Sequence, residues 1–160
     1  MEVDNVAKSI HAALTYAQNE ELKRLNTQYA KNDVSQVLKT IQEFINNYQE
    51  YFMDGQINMF AIEAQPNLRN HTARTAFVMI NLTGKTITEM NAHLEFKIDD
   101  FDLQFEPVDW EIPSDFLGSW APNYAIMVVD DIPMQGQPTK ASYLLDDIEL
   151  SVTNVTVVNG

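Results

Sequence analysis

The chain has 160 residues, of which 45% are hydrophobic and 21% are charged, proportions that are typical of a globular domain. Its formal net charge is −13, and 15 acidic residues stand against 5 basic ones between positions 56 and 160. We therefore expect neither nucleic acid nor an anionic membrane surface as a partner, because their phosphates repel such a surface. Cysteine is absent, which excludes disulfides, thiolate metal sites and thiol catalysis.

The first twelve residues contain acids at Glu2 and Asp4 and no continuous apolar stretch, so they lack the pattern of a signal peptide. Apolar runs elsewhere fall short of the about 18 residues that a membrane span needs, and we expect no membrane span. The protein is therefore expected either to stay in the cytoplasm or to be the mature form of a longer precursor. The absence of cysteine is compatible with a bacterial surface protein.

The strongest helical pattern lies before the first glycine, Gly55. Asp33 followed by Gln36 predicts a helix start, and Asp54 with Gly55 predicts its end, so a helix is expected over 34–53. Apolar residues recur there at steps of four and three, the period of one helix face. They are Val34, Leu38, Ile41, Ile45, Tyr48 and Phe52, with Phe44 and Tyr51 widening the stripe.

An earlier apolar stripe predicts another helix over residues 4–30, with one slip of phase between positions 17 and 22. The link that remains, residues 31–33, is short. Short links favour antiparallel helices, so the pattern predicts a helical hairpin. We expect the apolar stripe of the hairpin to dock either on the sandwich or on another copy of the chain, with the sandwich slightly favoured.

After Gly55 the apolar period changes to two, which is the period of a β-strand. The clearest strand covers 90–98, and the link Asp99-Asp100 could join it to a strand over 101–105 as a hairpin. Other predicted strands cover 57–64, 74–82, 123–129 and 147–158. In the last of these the alternation slips near Asn154, which indicates either a β-bulge or a switch between sheets.

The segment Phe77 to Asp100, FVMINLTGKTITEMNAHLEFKIDD, combines an apolar strand ending in Asn81, a Thr-Gly turn and an alternating strand that runs to an acid. It resembles the start of immunoglobulin-like sandwich domains of bacterial surface proteins, notably those of the FxLYD kind, although the FxLYD signature itself is absent. The resemblance implies an adhesive, ligand-sensing or spacer module without catalytic residues. The predicted fold class is therefore α+β, with a helical hairpin over 1–55 and an immunoglobulin-like antiparallel β-sandwich over 56–160.

The sequence contains few patterns that are typical of catalysis. Gly84-Lys85-Thr86 matches the end of the phosphate-binding loop motif, but the motif requires a glycine at position 79, where this chain has Met79. The three histidines are dispersed, and His93 with Glu95 is interpreted as a solvated pair rather than as an acid–base catalyst. We therefore predict no enzyme activity, no catalytic residue and no cofactor.

Three pairs of aspartates are placed by the strand prediction at strand ends or loops, where carboxylates from separate loops can converge on one calcium ion. The alternative, which we favour, is ordinary turns in which Asp bonds its own backbone. We predict no metal site, with six weak calcium candidates: Asp99, Asp100, Asp130, Asp131, Asp146 and Asp147.

The segment 110–124 concentrates both tryptophans with two other aromatic residues and two prolines. Rigid aromatics on a loop are good anchors for a ligand. The alternative, favoured about two to one because tryptophan is usually highly buried, is that they close the end of the sandwich core. The candidate ligand-binding residues are Trp110, Phe116, Trp120 and Tyr124.

Two functions remain open. The first is a non-catalytic binding or structural module of a bacterial cell-surface or secreted protein, with an unidentified protein or carbohydrate partner. The second is an intracellular or phage-encoded structural protein that oligomerises through its helical hairpin. The chain is expected to be a monomer or a homodimer, and an extracellular or cell-surface location is favoured over a cytoplasmic one.

Overall fold

The structure, a computed structural model, describes residues 9–100 and 102–160. Three helices lie within these ranges: α1 (Tyr16–Leu25), α2 (Gln28–Tyr48) and the single-turn α3 (Ser114–Leu117). The strands of the same ranges are β1 (His11–Ala12), β2 (Ile57–Asn67), β3 (Thr72–Asn81), β4 (Ile87–Ile98), β5 (Gln104–Phe105), β6 (Val108–Ile112), β7 (Tyr124–Gln135), β8 (Tyr143–Leu144) and β9 (Ile148–Asn159). Short 3-10 turns, Gln49–Tyr51 and Leu145–Asp147, follow α2 and precede β9.

These strands form two sheets. In sheet A the order is β1-β7-β3-β2-β8, and β5 also pairs with β7. Sheet B has the order β6-β4-β9. Within the described ranges the pairs are antiparallel, except that β1 runs parallel to β7. The chain is thus an α+β protein with a sandwich-like β body.

The main hydrophobic core lies between the two sheets, as the alternation of β4 shows. Its residues Met90, Ala92, Leu94, Phe96 and Ile98 are buried, and the residues between them are polar and at least partly exposed. They join buried side chains of sheet A in one cluster. Because successive side chains of a strand point to opposite faces, the alternation itself places one face of sheet B against sheet A.

A smaller core lies on the other face of sheet A, where α2 packs. Ile41, Phe44 and Ile45 of the helix are buried in a cluster with four side chains of β3 and β7: Val78, Ile80, Ala125 and Met127. Residues 77–80 of β3 are all buried, since sheet B covers one face of the strand and α2 covers the other. The order of layers is therefore α2, sheet A and sheet B. The favoured docking within the chain is confirmed for Ile41, Phe44, Ile45, Tyr48 and Phe52. Val34 and Leu38 are half-buried outside this cluster, and Tyr51 is 63% exposed.

The prediction of a helix over 4–30 is wrong for residues 9–15, and residues 4–8 lie outside the described ranges. The backbone is extended before α1, because the amides of His11 and Ala13 donate to the carbonyls of Asn123 and Ala125 at 3.0 and 2.8 Å. Thr15 then caps α1 in a capping box with the third residue of the helix, Gln18. Helix α1 consequently begins only at Tyr16.

The predicted link over 31–33 is also wrong, since these residues lie inside α2. Asn26 ends α1 in the left-handed conformation, with φ 42°, and Thr27 caps α2 by accepting from the amide of Ala30 at 3.1 Å. The helix start predicted at residue 34, after Asp33, therefore comes six residues late. At the other end, α2 stops at Tyr48 and a 3-10 turn follows, so the predicted end at position 53 is wrong as well.

Among the strands, the slip near Asn154 is confirmed as a β-bulge. Asn154 has φ 54°, and the register of β9 on β4 shifts between Thr153 and Thr156. The predicted hairpin across Asp99-Asp100 is wrong, because β5 pairs with β7 and not with β4. The amide of Gln137 donates to the Asp102 carboxylate at 2.9 Å, which holds this segment beside the end of β7.

Three finer statements stay predictions: the antiparallel hairpin of the helices, the immunoglobulin-like strand order and the domain boundary at residue 55. Helix α1 has no buried side chain, whereas α2 shares its cluster with sheet A.

In residues 9–100 and 102–160, no helix is long and apolar enough to cross a bilayer.

Candidate functional site

An apolar groove runs along one side of the sandwich, where the edge strand β6 of sheet B approaches β7 of sheet A. Its volume is about 460 Å³. Helix α1 contributes Ala17, β7 contributes Val128 to Asp130, and the continuous segment 110–116 provides most of the remaining wall. Wider clefts of about 630 and 660 Å³ flank residues 103–107 and have more polar walls. The groove contains two of the four predicted binding residues, Trp110 and Phe116.

The back of the groove is held in place by Trp110. Its ring packs edge-on against Phe77, with 4.7 Å between ring centroids, and its Nε1 donates to Asp130 Oδ2 at 2.7 Å. Asp130 pairs with the buried Thr75 in the register of β7 and β3, so it lies on the core-facing side of sheet A. The hydrogen bond therefore joins the two sheets at this edge, and the carboxylate satisfies an otherwise buried indole N–H.

The other two aromatic candidates border a separate, smaller cleft of about 240 Å³. Trp120 is buried, and its Nε1 donates to the carbonyl of Tyr124 at 2.9 Å. Tyr124 is 38% exposed, and its ring centroid lies 5.7 Å from that of His11. The interpretation of both tryptophans as core residues is confirmed, because Trp110 is 6% and Trp120 is 3% exposed. Phe116 is half-buried and packs on the sandwich core.

The charge of the groove is one-sided. Among its described lining residues, Glu111, Asp115 and Asp130 are acidic and none is basic. Val129 is 44% exposed on one wall, so apolar surface stands beside these carboxylates. Such a groove suits an apolar group with an adjacent positive charge, because the carboxylates attract cations while the apolar wall gains from burial.

Each aspartate pair has at least one carboxylate engaged within the protein, among them Asp130 with Trp110. The pair Asp130-Asp131 lies inside β7, so its predicted place at a strand end is wrong. Hydrogen bonds from the hydroxyl of Tyr143 and from Thr139 hold the pKa of Asp100 below its ordinary value. Asp147 Oδ2 lies 3.6 Å from the Nζ atom of Lys140. Among the described residues, no three Asp, Glu or His side chains come together in a way that could hold a metal ion.

Outside the groove, the outer face of sheet B carries one ionic contact between strands. His93 Nδ1 on β4 lies 2.7 Å from Asp109 Oδ1 on β6, and His93 Nε2 lies 3.5 Å from Glu95 Oε2. The predicted pair with Glu95 is present, but the cross-strand partner is Asp109. The hydrogen bond with Asp109 raises the pKa of His93 above its ordinary value of 6.5.

We expect this contact to make stability depend on pH. The pKa of His93 is raised in the folded state, so the contact stabilises the fold fully below pH 6.5, the ordinary pKa of histidine. This stabilisation is lost as the pH rises through the pKa that His93 has in the folded protein. An NMR titration should give His93 a pKa above 6.5 in the wild type and a lower one in Asp109→Asn. Equal pKa values of His93 in the two proteins would contradict the expectation.

Comparison of the chain with protein-family models, with curated proteins and with solved structures found no match. Sequence reasoning missed Val129 and the partnership of Trp110 with Asp130. It also missed β6, although Val108, Trp110 and Ile112 alternate there between two prolines, a signal that predicts a short edge strand.

Proposed function

We propose that this chain is a non-catalytic binding module whose groove takes an apolar segment of a partner protein that carries a basic side chain. The observation that carries the proposal is the combination of exposed Val129 and half-buried Phe116 with the carboxylates of Glu111, Asp115 and Asp130 in one groove. A lysine or arginine next to a large apolar side chain matches both features.

The burial of the tryptophans favours a peptide over a carbohydrate. Sugar rings are expected to stack on exposed aromatic faces, and Trp110 and Trp120 are 6% and 3% exposed. Their ring faces are covered by the sandwich core, which leaves mainly aliphatic surface and Phe116 at the groove. A protein segment makes better use of such a surface, since its apolar side chains gain free energy by burial.

We assign the sandwich to the immunoglobulin-like class as part of the same proposal. In that class, strands A, B and E are neighbours in one sheet, and C and F are neighbours in the other. The pairings β2-β3-β7 and β4-β9, with β4 following β3 and crossing between sheets, support the assignment. With the resemblance of residues 77–100, this favours a module of a bacterial cell-surface or secreted protein. In it, α1 of the predicted hairpin contributes Ala17 to the groove, and α2 holds the outer face of sheet A.

The alternative, a structural protein that oligomerises through its helices, needs a free apolar stripe on α2. The buried part of that stripe, Ile41, Phe44 and Ile45, lies against sheet A. We therefore favour the binding module.

The test is selection from a phage-displayed peptide library on the wild-type chain, followed by affinity measurements on two matched variants. We expect the selected peptides to combine Arg or Lys with Leu, Phe or Trp. Val129→Lys should abolish their binding, because it fills the groove and opposes a basic peptide. Leu144→Lys is the control, since Leu144 is also an exposed apolar strand residue, 59% exposed on β8, and lies away from the groove.

The double variant Glu111→Gln with Asp115→Asn tests the carboxylates. It should weaken the binding of the selected peptides without changing the fold, because both side chains are exposed. Selected peptides that lack basic residues, or that bind Val129→Lys as well as they bind the wild type, would contradict the proposal.

A further inference from the structure

Strand β9 is a long edge strand whose β-bulge, at Asn154, lies before the segment 155–158 and leaves that segment regular. It covers twelve residues and, within the described part of the chain, pairs only with β4. Residues 150–160 contain no charged side chain and no proline. Edge strands in soluble proteins are usually short or carry charges, proline or other features that prevent pairing with another chain.

The opposite edge of sheet B is protected by those means. Strand β6 has five residues, and its outward side chains are the exposed acids Asp109 and Glu111. The acids of β6 therefore hinder the pairing of another strand at that edge of sheet B, whereas no charged side chain hinders it along residues 150–159 of β9. A sheet that is open at one edge forms a closed dimer rather than a filament.

The second half of β9 also leaves apolar surface uncovered. Val157 is opposite the buried Met90 and so lies on the core-facing side of sheet B, yet it is 37% exposed. Val155, two residues earlier, is 43% exposed, and Val158 is 51% exposed. Thr156 between them is exposed as well. The sequence VTVV at positions 155–158 has the high β propensity and the neutrality of segments that pair with other strands.

We propose that β9 pairs in antiparallel orientation with β9 of a second copy, through a two-fold axis perpendicular to sheet B at Thr156. In this register Thr156 faces Thr156 of the second copy, and Val155 faces the second copy's Val157. Paired residues share one face of the sheet, so the valines on the core-facing side cover each other. The surface is separate from the groove and does not depend on its function.

A second copy fits this edge because self-pairing brings no charges together. The net charge of −13 opposes approach of two copies in general, but the paired segment is neutral. Glu149 of one copy lies beyond the end of the other copy's strand in this register. The ordinary repulsion between opposed like charges is therefore absent along the contact.

The test uses the absence of cysteine from the chain. Thr156→Cys places one thiol of each copy at the axis, where opposed Cα atoms are about 4.5–5.5 Å apart, a distance that a disulfide spans. Under mild oxidation we expect a covalent dimer. Ser151→Cys, exposed on the same strand, is the control, since its two copies would lie about 30 Å apart along the strands and should not cross-link.

Analytical ultracentrifugation gives an independent measurement on the cysteine-free chain. We expect dimerisation that increases with protein concentration, and its loss in the double variant Val155→Lys with Val158→Lys. Leu144→Lys, an equivalent change on sheet A, should dimerise like the wild type. Circular dichroism checks that the variants keep their fold.

Several outcomes would overturn the proposal. One is a wild-type monomer at all concentrations together with no cross-linking through Thr156→Cys. Another is a dimer that persists in the double lysine variant, because its interface then lies elsewhere. Equal cross-linking through Thr156→Cys and Ser151→Cys would show random collision rather than the proposed register.

Discussion

Replacing Ile41 by alanine is expected to lower the free energy of unfolding by about 2–5 kcal/mol. The side chain is fully buried between α2 and sheet A, in the cluster that contains Val78 and Ile80 of β3. Its truncation leaves a cavity in the contact that joins the helix to the β body. Chemical denaturation of the wild type and the variant measures the difference.

Tyr29→Ala is the matched control within the same helix. Tyr29 is 81% exposed, and its loss should change stability by less than about 0.5 kcal/mol. If Ile41→Ala were as mild as Tyr29→Ala, α2 would not be part of the folded core. The three-layer order of α2, sheet A and sheet B would then be wrong.

Replacing Asn81 by alanine is expected to lower the free energy of unfolding by at least about 2 kcal/mol, because several hydrogen bonds of a buried side-chain amide are lost together. Its Nδ2 donates to the carbonyls of Lys85 and Trp120 at 2.8 and 3.1 Å. Its Oδ1 accepts from the amide and the hydroxyl of Thr83 at 3.1 and 2.7 Å. The side chain is fully buried and ties the end of β3 both to the following turn and to Trp120.

The control for this change is Asn91→Ala, since Asn91 is exposed on β4. We expect little effect from it in the same denaturation experiment. Equal effects of the two substitutions would show that the network around Asn81 does not stabilise the fold. The resemblance of residues 77–100 implied an asparagine at this strand end, and the hydrogen bonds supply a physical reason for it.

The strands were predictable where apolar alternation is long. Met90 to Ile98 gives five alternate buried positions, and β4 includes all of them. The slip at Asn154 likewise indicated either a bulge or a switch between sheets, and the structure has the bulge. The two-residue strands β1 and β8 were not predictable, because they are too short to show apolar alternation. Each is defined only by two residue pairs with a neighbouring strand, β7 for β1 and β2 for β8.

The helix boundaries were less predictable, because the apolar stripe continues into a segment that is not helical. Ile10 is buried in the cluster between α2 and sheet A although its backbone is extended. At Ile10 the apolar pattern therefore reflects burial and not helical structure. The spacing of Thr15 and Gln18 is a capping box, and this signal could have placed the start of α1 correctly.

The candidate site was predictable only in part. The aromatic segment indicated Trp110 and Phe116, and both line the groove. Val129 and Asp130 join it through the pairing of β7 with β3, a contact between strands that are far apart in the sequence. Local patterns carry no information on such long-range placement, so the carboxylate partner of Trp110 emerged only from the fold.

The most direct test of the binding groove is an NMR titration of the two indole N–H signals with a peptide selected from the library. Trp110 Nε1 donates to Asp130 at the groove, whereas Trp120 Nε1 donates to the backbone of Tyr124 in the neighbouring cleft. We predict that the Trp110 signal shifts with peptide concentration while the Trp120 signal stays in place. A bound peptide that shifts Trp120 alone, or neither signal, would contradict the account.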